Sequence, residues 1–270
     1  MYDEIENLKH QISEFGEIKI KNRIISRNNF TFIAGPCTIE NYDDLMKIVL
    51  KLKEMGIKFF RGGAYKMRTS PYSFQGLGRK GLEIIKKVSD QTGMVSVSEI
   101  ISPEHVHEMS EYIDILQVGT RNMHNYPLLE KLGKVSNPII LKRGMSNTIK
   151  EWLLAAEHLM EAGNKKVILC ERGIRTFEDY TRNTLDISAI PAVKNLSNLP
   201  IIIDPSHSSG KREMIKSLSW AAMAAGADGI MIETHFSPET TICDSKQTID
   251  FQMLEEIMKP MDRLVNLWRK

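Results

Sequence analysis

Little in this sequence is biased, and each missing bias removes a class of protein. Lys and Arg total 36 against 34 Asp and Glu, a net charge of +2, so the basic excess expected of a nucleic-acid binder or a polybasic membrane-surface protein is absent. Three cysteines, Cys37, Cys170 and Cys243, are too few and too scattered for a secreted disulfide framework, which points to a reducing compartment. No uncharged apolar run approaches the roughly 20 residues needed to span a bilayer. The most apolar stretch, residues 220–225, meets Asp228 soon afterwards. Residues 1–15 mix acids and bases without a basic patch and apolar run, so no signal peptide is read there and a cytoplasmic location is expected. Nor does any long linker, low-complexity tract or internal repeat divide the 270 residues.

With 42% hydrophobic and 26% charged residues, the chain has enough apolar side chains for a sizeable globular core. Ile5, Leu8, Ile12 and Phe15 draw the apolar stripe of a short helix. Residues 17–21 then alternate polar and apolar before Asn22-Arg23 and Ile24-Ile25, which predicts a small hairpin. From Thr31 the pattern changes to short, continuous, β-branched apolar runs, each succeeded by a longer amphipathic stretch, the signature of buried parallel strands with crossover helices. Strands are predicted at 31–34, 59–61, 94–97, 113–118, 138–141, 166–169, 200–203 and 229–232, with helices between them, for example 43–55, 81–92, 148–162 and 212–225. Eight such units in about 240 residues fit an α/β fold of the (β/α)8 TIM-barrel type better than an open doubly wound sheet. The expected organisation is an N-terminal extension, 1–29, of helix plus hairpin, and a catalytic barrel, 30–270.

In such a barrel the chemistry sits at the C-terminal ends of the strands, and the residues just beyond each apolar run here are polar. Arg61, Lys66, Arg68, Arg121, Lys142 and Arg172 should converge on one mouth. So many cations would repel one another unless an anion joined them, which implies substrates carrying phosphate or carboxylate groups. A second group, Cys37, His207, Glu233 and the later Asp244, combines thiolate, imidazole and carboxylate, a ligand set suited to a divalent transition metal. The first, seventh and eighth strands are neighbours in a closed barrel, so Cys37, His207 and Glu233 can meet. Taken singly, Cys37 is more often a packed small residue and His207 more often a hydrogen-bonded loop histidine.

Several segments together resemble the 3-deoxy-D-arabino-heptulosonate 7-phosphate (DAHP) synthases, type I beta branch. They are Ala34-Gly35-Pro36-Cys37, the run from Arg61-Gly62-Gly63-Ala64-Tyr65-Lys66-Met67-Arg68-Thr69-Ser70-Pro71 to Gly78, Leu141-Lys142-Arg143-Gly144, and Asp204-Pro205-Ser206-His207. The resemblance covers the chain from about Phe30 onward. It implies a transferase that condenses phosphoenolpyruvate with erythrose 4-phosphate and releases phosphate, the entry to the shikimate pathway of chorismate and aromatic amino acid biosynthesis. It also implies one divalent metal ion per subunit, Mn²⁺ ahead of Fe²⁺, Co²⁺ or Zn²⁺, held by Cys37, His207, Glu233 and Asp244. Arg121, Lys142 and Arg172 would hold the phosphate of phosphoenolpyruvate, with Arg61 and Lys66 near its carboxylate and reacting carbons. Arg68, Thr69 and Ser70 would take the aldose phosphate, and Glu99 would orient a base or the attacking water. Family members are commonly homotetramers.

Where relatives carry a Lys-Pro-Arg-Thr run, this chain has Met67 in place of proline, which leaves Arg68 and Thr69 less pre-organised. The related 3-deoxy-D-manno-octulosonate 8-phosphate synthases, which use arabinose 5-phosphate, have one more residue before the arginine, so the spacing here favours the four-carbon sugar. Cys37 favours a metal-dependent enzyme, since metal-independent relatives have asparagine there. Cys243 stands where it could meet Cys37 on oxidation or simply be a buried thiol; Cys170 reads as core; His235 could support the metal site or cap its strand. The first thirty residues are too few for a regulatory domain, so intrinsic feedback inhibition by an aromatic amino acid is not expected. A non-catalytic sugar-phosphate sensor and an assembly subunit are the rival readings; the metal quartet weighs against the first, and the cost of buried rim charges without a use weighs against the second.

Overall fold

The computed structural model describes residues 16–67 and 72–267, and the helix expected from Ile5, Leu8, Ile12 and Phe15 lies outside them. The alternating segment forms the expected antiparallel hairpin, β1 (Glu17–Ile20) and β2 (Arg23–Ser26), in the register Glu17↔Ser26 to Ile20↔Arg23. Eight parallel strands come next: β3 (Thr31–Gly35), β4 (Phe59–Arg61), β5 (Val95–Ile100), β6 (Ile115–Val118), β7 (Ile139–Lys142), β8 (Val167–Glu171), β9 (Ile201–Ile203) and β10 (Gly229–Glu233). They close into a barrel in chain order, with β10 pairing both β9 and β3. The fold is the (β/α)8 barrel read from the sequence. Five strands, β3, β5, β7, β8 and β10, run further than their apolar runs suggest, because residues beyond those runs, among them Glu99, Lys142, Glu171 and Glu233, still have strand partners.

Helices α1 (Tyr42–Glu54), α2 (Arg79–Thr92), α3 (Val106–Tyr112), α4 (Tyr126–Gly133), α5 (Ile149–Glu161), α6 (Ala189–Leu196) and α8 (Arg212–Ala224) surround the barrel. A short α7 (Pro205–Ser209) succeeds β9, and α9 (Phe251–Met258) and α10 (Met261–Val265) succeed β10. Local chemistry sets several starts: Asn41 Oδ1 accepts from Asp44 N in α1, and Thr148 with Glu151 forms a reciprocal capping box in α5.

Side chains alternate between the two sides of each strand, and the core divides accordingly. Outward residues such as Phe60, Leu116, Leu141, Leu169 and Ile232 pack on the helices. Inward residues Ile33, Phe59, Val95, Val97, Ile115, Ile140, Ile168, Cys170, Ile202 and Met231 fill the barrel, joined by Ile18, Ile20 and Ile25 of the hairpin. The hairpin thus plugs the N-terminal end, each buried isoleucine contributing about 1.5–3 kcal/mol. It is anchored by Lys21 Nζ on Asp114 Oδ2 at 2.8 Å and by Arg27 on the Lys194 and Ser197 carbonyls. The same alternation, carried one step further up each strand, brings polar residues inward at the other end.

Candidate active site

Two residues after the last apolar inward position, Arg61, Glu99, Gln117 and Glu233 point into the barrel, and Lys142 and Asp204 continue the pattern on β7 and just beyond β9. Glu233 is 1% exposed and has a partner on each oxygen. Its Oε1 accepts from Arg61 Nη1 at 2.7 Å and lies 3.2 Å from His207 Nε2, and its Oε2 accepts from Gln247 Nε2 at 2.6 Å. Arg61 also donates to the Pro36 carbonyl, tying the end of β4 to the loop that carries Cys37. Burial alone would raise the Glu233 carboxyl, but the His207 and Arg61 charges outweigh it and hold it well below the usual carboxylate range.

Cys37 and Lys66 come from neighbouring loops stitched by a bridge between Thr38 and Gly63 and by the Ile39 N to Gly63 O bond. Lys66 Nζ stands 2.6 Å from Cys37 Sγ and 3.2 Å from Asp244 Oδ2, and Cys37 Sγ lies 2.9 Å from the same carboxylate oxygen. Asp244 is delivered by the loop after β10, which folds back through Ile249 N to Glu233 O and the Thr234–Ile249 bridge. Asp244 takes a left-handed backbone, φ 56°, a conformation that a short polar side chain tolerates.

The donor atoms of Cys37, Glu233 and Asp244 lie within 4.8 Å of one another, and His207 joins them through Glu233. A thiol and two carboxylates at this separation, with an imidazole beside one of the carboxylates, fit a divalent transition metal. Hydrogen bonding to Cys243, burial and the Glu233 charge push the Cys37 thiol well up, so binding a metal through sulfur would release a proton. All three cysteines are buried and none is in a disulfide. The Cys37–Cys243 contact leads to one expectation: metal-stripped, air-exposed protein should yield a 37–243 crosslink in non-reducing peptide maps, and its absence removes the oxidisable pair. Cys170 is core, as expected. His235 closes its own turn, with Nδ1 accepting from Ser237 N at 3.0 Å, the capping role of the two considered.

Above this cluster lies a cavity of about 320 Å³, lined by Lys66, Glu99, Arg121, Lys142, Arg172, Arg182, His207 and Asp244 among others. A larger, more open groove of about 970 Å³ adjoins it and shares Arg182 and Asp244, but the strand-borne charged groups converge on the smaller cavity. The expectation that all six cations face one mouth needs correction at Arg61, which is buried under Glu233 rather than on the cavity wall. Mutual repulsion among the bases is also relieved from within, because acids are built in: Glu233 pairs Arg61, Asp244 pairs Lys66, and Asp204 pairs Lys142 at 2.5 Å. Positive charge is left on Arg121, Arg172 and Arg182, which make no ion pair among the described residues. Arg172 donates instead to the His207 carbonyl at 2.8 Å. Arg68, Thr69 and Ser70 lie outside the described residues.

Neighbouring Arg143 belongs to the other side of the sheet, bonded to Glu171 at 3.0 Å and Asp186 at 2.8 Å. Sequence reasoning assigned nothing to Gln117, Arg182, Asp204 or Gln247. Strand alternation from Ile115 and Ile202 would have found Gln117 and Asp204; Arg182 and Gln247 sit on loops whose return to the mouth no local pattern records. Glu99 accepts from Gln117 Nε2 at 3.2 Å. A Cβ on Gly119 would fall 2.1 Å from Glu99 Oε1, although the Gly119 backbone, φ −69°, suits any residue. Gly119→Ala should therefore displace the Glu99 carboxylate with a stability change within about 1 kcal/mol. Turnover should fall about tenfold, in steady-state rates measured beside a urea titration.

Residues 14–267 match the DAHP synthetase I family. The chain is 49% identical to phospho-2-dehydro-3-deoxyheptonate aldolase of Thermotoga maritima over 255 residues, 94% of this chain and 74% of that one. It is 31% identical to 2-dehydro-3-deoxyphosphooctonate aldolase of Geobacter sulfurreducens, over 85% of this chain and 90% of that one. The crystal structure of the Thermotoga maritima aldolase superposes with a TM-score of 0.90 over 93% of this chain and 74% of that chain. A truncated form of 3-deoxy-D-arabino-heptulosonate 7-phosphate synthase from the same organism gives 0.86 at 45% identity, over 93% and 92%.

Proposed function

Since the chain belongs to the DAHP synthetase I family, we propose that it catalyses the condensation of phosphoenolpyruvate with erythrose 4-phosphate and water to 3-deoxy-D-arabino-heptulosonate 7-phosphate and phosphate. The observation that carries this reading is the stacking of two sites along one axis: a cationic cavity opens directly onto a Cys37, Glu233 and Asp244 cluster, with the Lys66 ammonium between them.

Arg121, Lys142 and Arg172 hold the phosphate of phosphoenolpyruvate, the two guanidiniums by planar forks that match its oxygens and the lysine as a point charge. Arg61 and Lys66 serve its carboxylate end, Arg61 from beneath by keeping Glu233 ionised and in place. Arg68, Thr69 and Ser70 take the phosphate of the aldose. Clamping both anions sets C3 of phosphoenolpyruvate against the aldehyde carbon and can supply several kcal/mol of barrier reduction. A divalent ion held by Cys37, His207, Glu233 and Asp244 supplies Lewis acidity toward the aldehyde oxygen when bound.

As the new carbon–carbon bond forms, Lys66 donates a proton to the aldehyde-derived oxygen. Burial works against its charge, yet Cys37, Glu233 and Asp244 raise its pKa overall, so it stays protonated until that oxygen needs the proton. Glu99, facing the cavity beside Gln117, orients the water that adds at C2. The resulting hemiketal phosphate loses phosphate by C–O cleavage, leaving the C2 ketone.

No helix of the described residues is long and apolar enough to cross a membrane. A cytoplasmic homotetramer with one metal per subunit, Mn²⁺ first, completes the proposal, with residues 30–270 as its catalytic unit. Its test is phosphate release from phosphoenolpyruvate with erythrose 4-phosphate or arabinose 5-phosphate, with and without chelator. Release with the four-carbon sugar, abolished by chelator, is expected. Preference for arabinose 5-phosphate would overturn the substrate, chelator-resistant turnover the metal, and no release with either sugar the enzyme.

A further inference from the structure

Asp204 is 1% exposed and ends the inward row of β9. Its two oxygens do different work. Oδ1 accepts from His207 N at 2.9 Å, the N-cap bond of α7. Oδ2 accepts from Lys142 Nζ at 2.5 Å and lies 2.7 Å from His207 Nδ1. Capping needs only the first, and asparagine caps a helix as well as aspartate does. A buried charge is costly unless it is paired. What requires a carboxylate here is therefore the second oxygen, shared by a lysine on the cavity wall and an imidazole whose other nitrogen faces Glu233.

We propose that Asp204 is a positioning residue that couples the anion subsite to the metal subsite, so that phosphoenolpyruvate and the metal ion tighten each other's binding through its shared Oδ2. This rests on the assignment of Lys142 to the phosphate and His207 to the metal made above. When phosphate neutralises Lys142, the negative charge of Asp204 is left more fully to His207 Nδ1–H. A stronger acceptor at Nδ1 fixes the ring tautomer and orientation and makes Nε2 a better ligand. In the other direction, a cation drawing on Nε2 polarises Nδ1–H toward Asp204, which loosens its hold on Lys142 and frees the ammonium for phosphate. Linkage requires the two effects to be equal in size. The residues between the two subsites are thus a single oxygen and the hydrogen bonds on either side of it.

The experiment is a Co²⁺ titration of the metal-free full chain, by equilibrium dialysis and by the Co²⁺ absorption spectrum, with and without phosphoenolpyruvate. In the wild type, phosphoenolpyruvate should tighten Co²⁺ about tenfold or more, and Co²⁺ should tighten phosphoenolpyruvate by the same factor. In Asp204→Asn, which keeps the helix cap, both ligands should still bind, with a coupling factor several-fold smaller. Direct attraction between anion and metal acts in both proteins, so the difference belongs to Asp204. Equal coupling in wild type and variant would overturn the proposal. So would independent binding in the wild type. Failure of the wild type to bind Co²⁺ or phosphoenolpyruvate at all would instead overturn the site assignment, and the coupling with it. Should the asparagine variant not fold, Lys142→Met tests the same oxygen from its other side. Without phosphoenolpyruvate it should hold Co²⁺ several-fold tighter than wild type, and unchanged affinity would overturn the coupling.

Discussion

Glu233→Gln is expected to lower stability by about 3–5 kcal/mol and to reduce turnover by at least about a thousandfold. The stability loss comes from the surroundings of the group. Arg61 and Glu233 are 5% and 1% exposed and 2.7 Å apart, so removing the negative charge leaves a guanidinium buried without its partner. Hydrogen bonding makes matters worse: Glu233 accepts from Arg61 on one oxygen and from Gln247 on the other, whereas an amide offers one acceptor and turns a donor toward a donor. Turnover is lost for a separate reason, since the same carboxylate stands in the cluster with Cys37 and Asp244. A double variant, Arg61→Met with Glu233→Gln, distinguishes the two. Urea midpoints should recover most of the lost stability, while activity and metal affinity should stay low. Full recovery of activity would remove Glu233 from the chemistry.

The pH dependence of this difference has a definite sign. The Glu233 carboxyl is held below its ordinary value, so its contribution is present above about pH 4.3, the unfolded value, and shrinks as acid protonates it in the folded chain. The stability gap between wild type and Glu233→Gln should therefore narrow in acid and be constant near neutrality.

Lys66→Met should lower kcat by about 10²–10⁴-fold, the usual range for removing a positioned general acid, with a smaller rise in KM for phosphoenolpyruvate. The ammonium sits 2.6 Å from Cys37 Sγ and 3.2 Å from Asp244 Oδ2, where it can reach both the sulfur cluster and the cavity. Arginine keeps the charge, but its delocalised, planar guanidinium does not pass a proton to the oxygen as a compact ammonium does. Lys66→Arg should therefore share the kcat defect while binding phosphoenolpyruvate nearly normally. Full turnover in the arginine variant would assign the proton to another donor. Comparing the two variants separates charge from proton transfer, because only methionine removes both.

The barrel was legible in the sequence because each of its units is written locally. A short β-branched run is a strand wherever it folds, and an amphipathic stretch of helix length packs where its apolar stripe can be covered. Alternation along a strand is equally local, so Arg61, Glu99, Lys142 and Glu233 could be placed at strand ends with the right side facing in. The hairpin at 17–26 was likewise readable, but not its use as the plug of the barrel, which depends on Ile18, Ile20 and Ile25 meeting inward residues from distant strands.

Pairing of charges was beyond the sequence altogether. Whether Arg61 faces substrate or lies under Glu233 depends on closure of β10 against β3, which joins residues 172 positions apart. The run of β7, β8 and β9 side by side sets Lys142 on Asp204, and the loop after β10 sets Asp244 on Lys66, so that among the described residues three of the expected bases are paired internally and the rest form a cationic wall. Arg182 and Gln247 reach the mouth only because their loops fold back over the strand ends. Residue type and strand phase, being local, determined which groups this protein brings to the mouth. Which of them are neutralised, and which remain free to hold an anion, was decided by tertiary contact, because a charge's partner is chosen by distance in space.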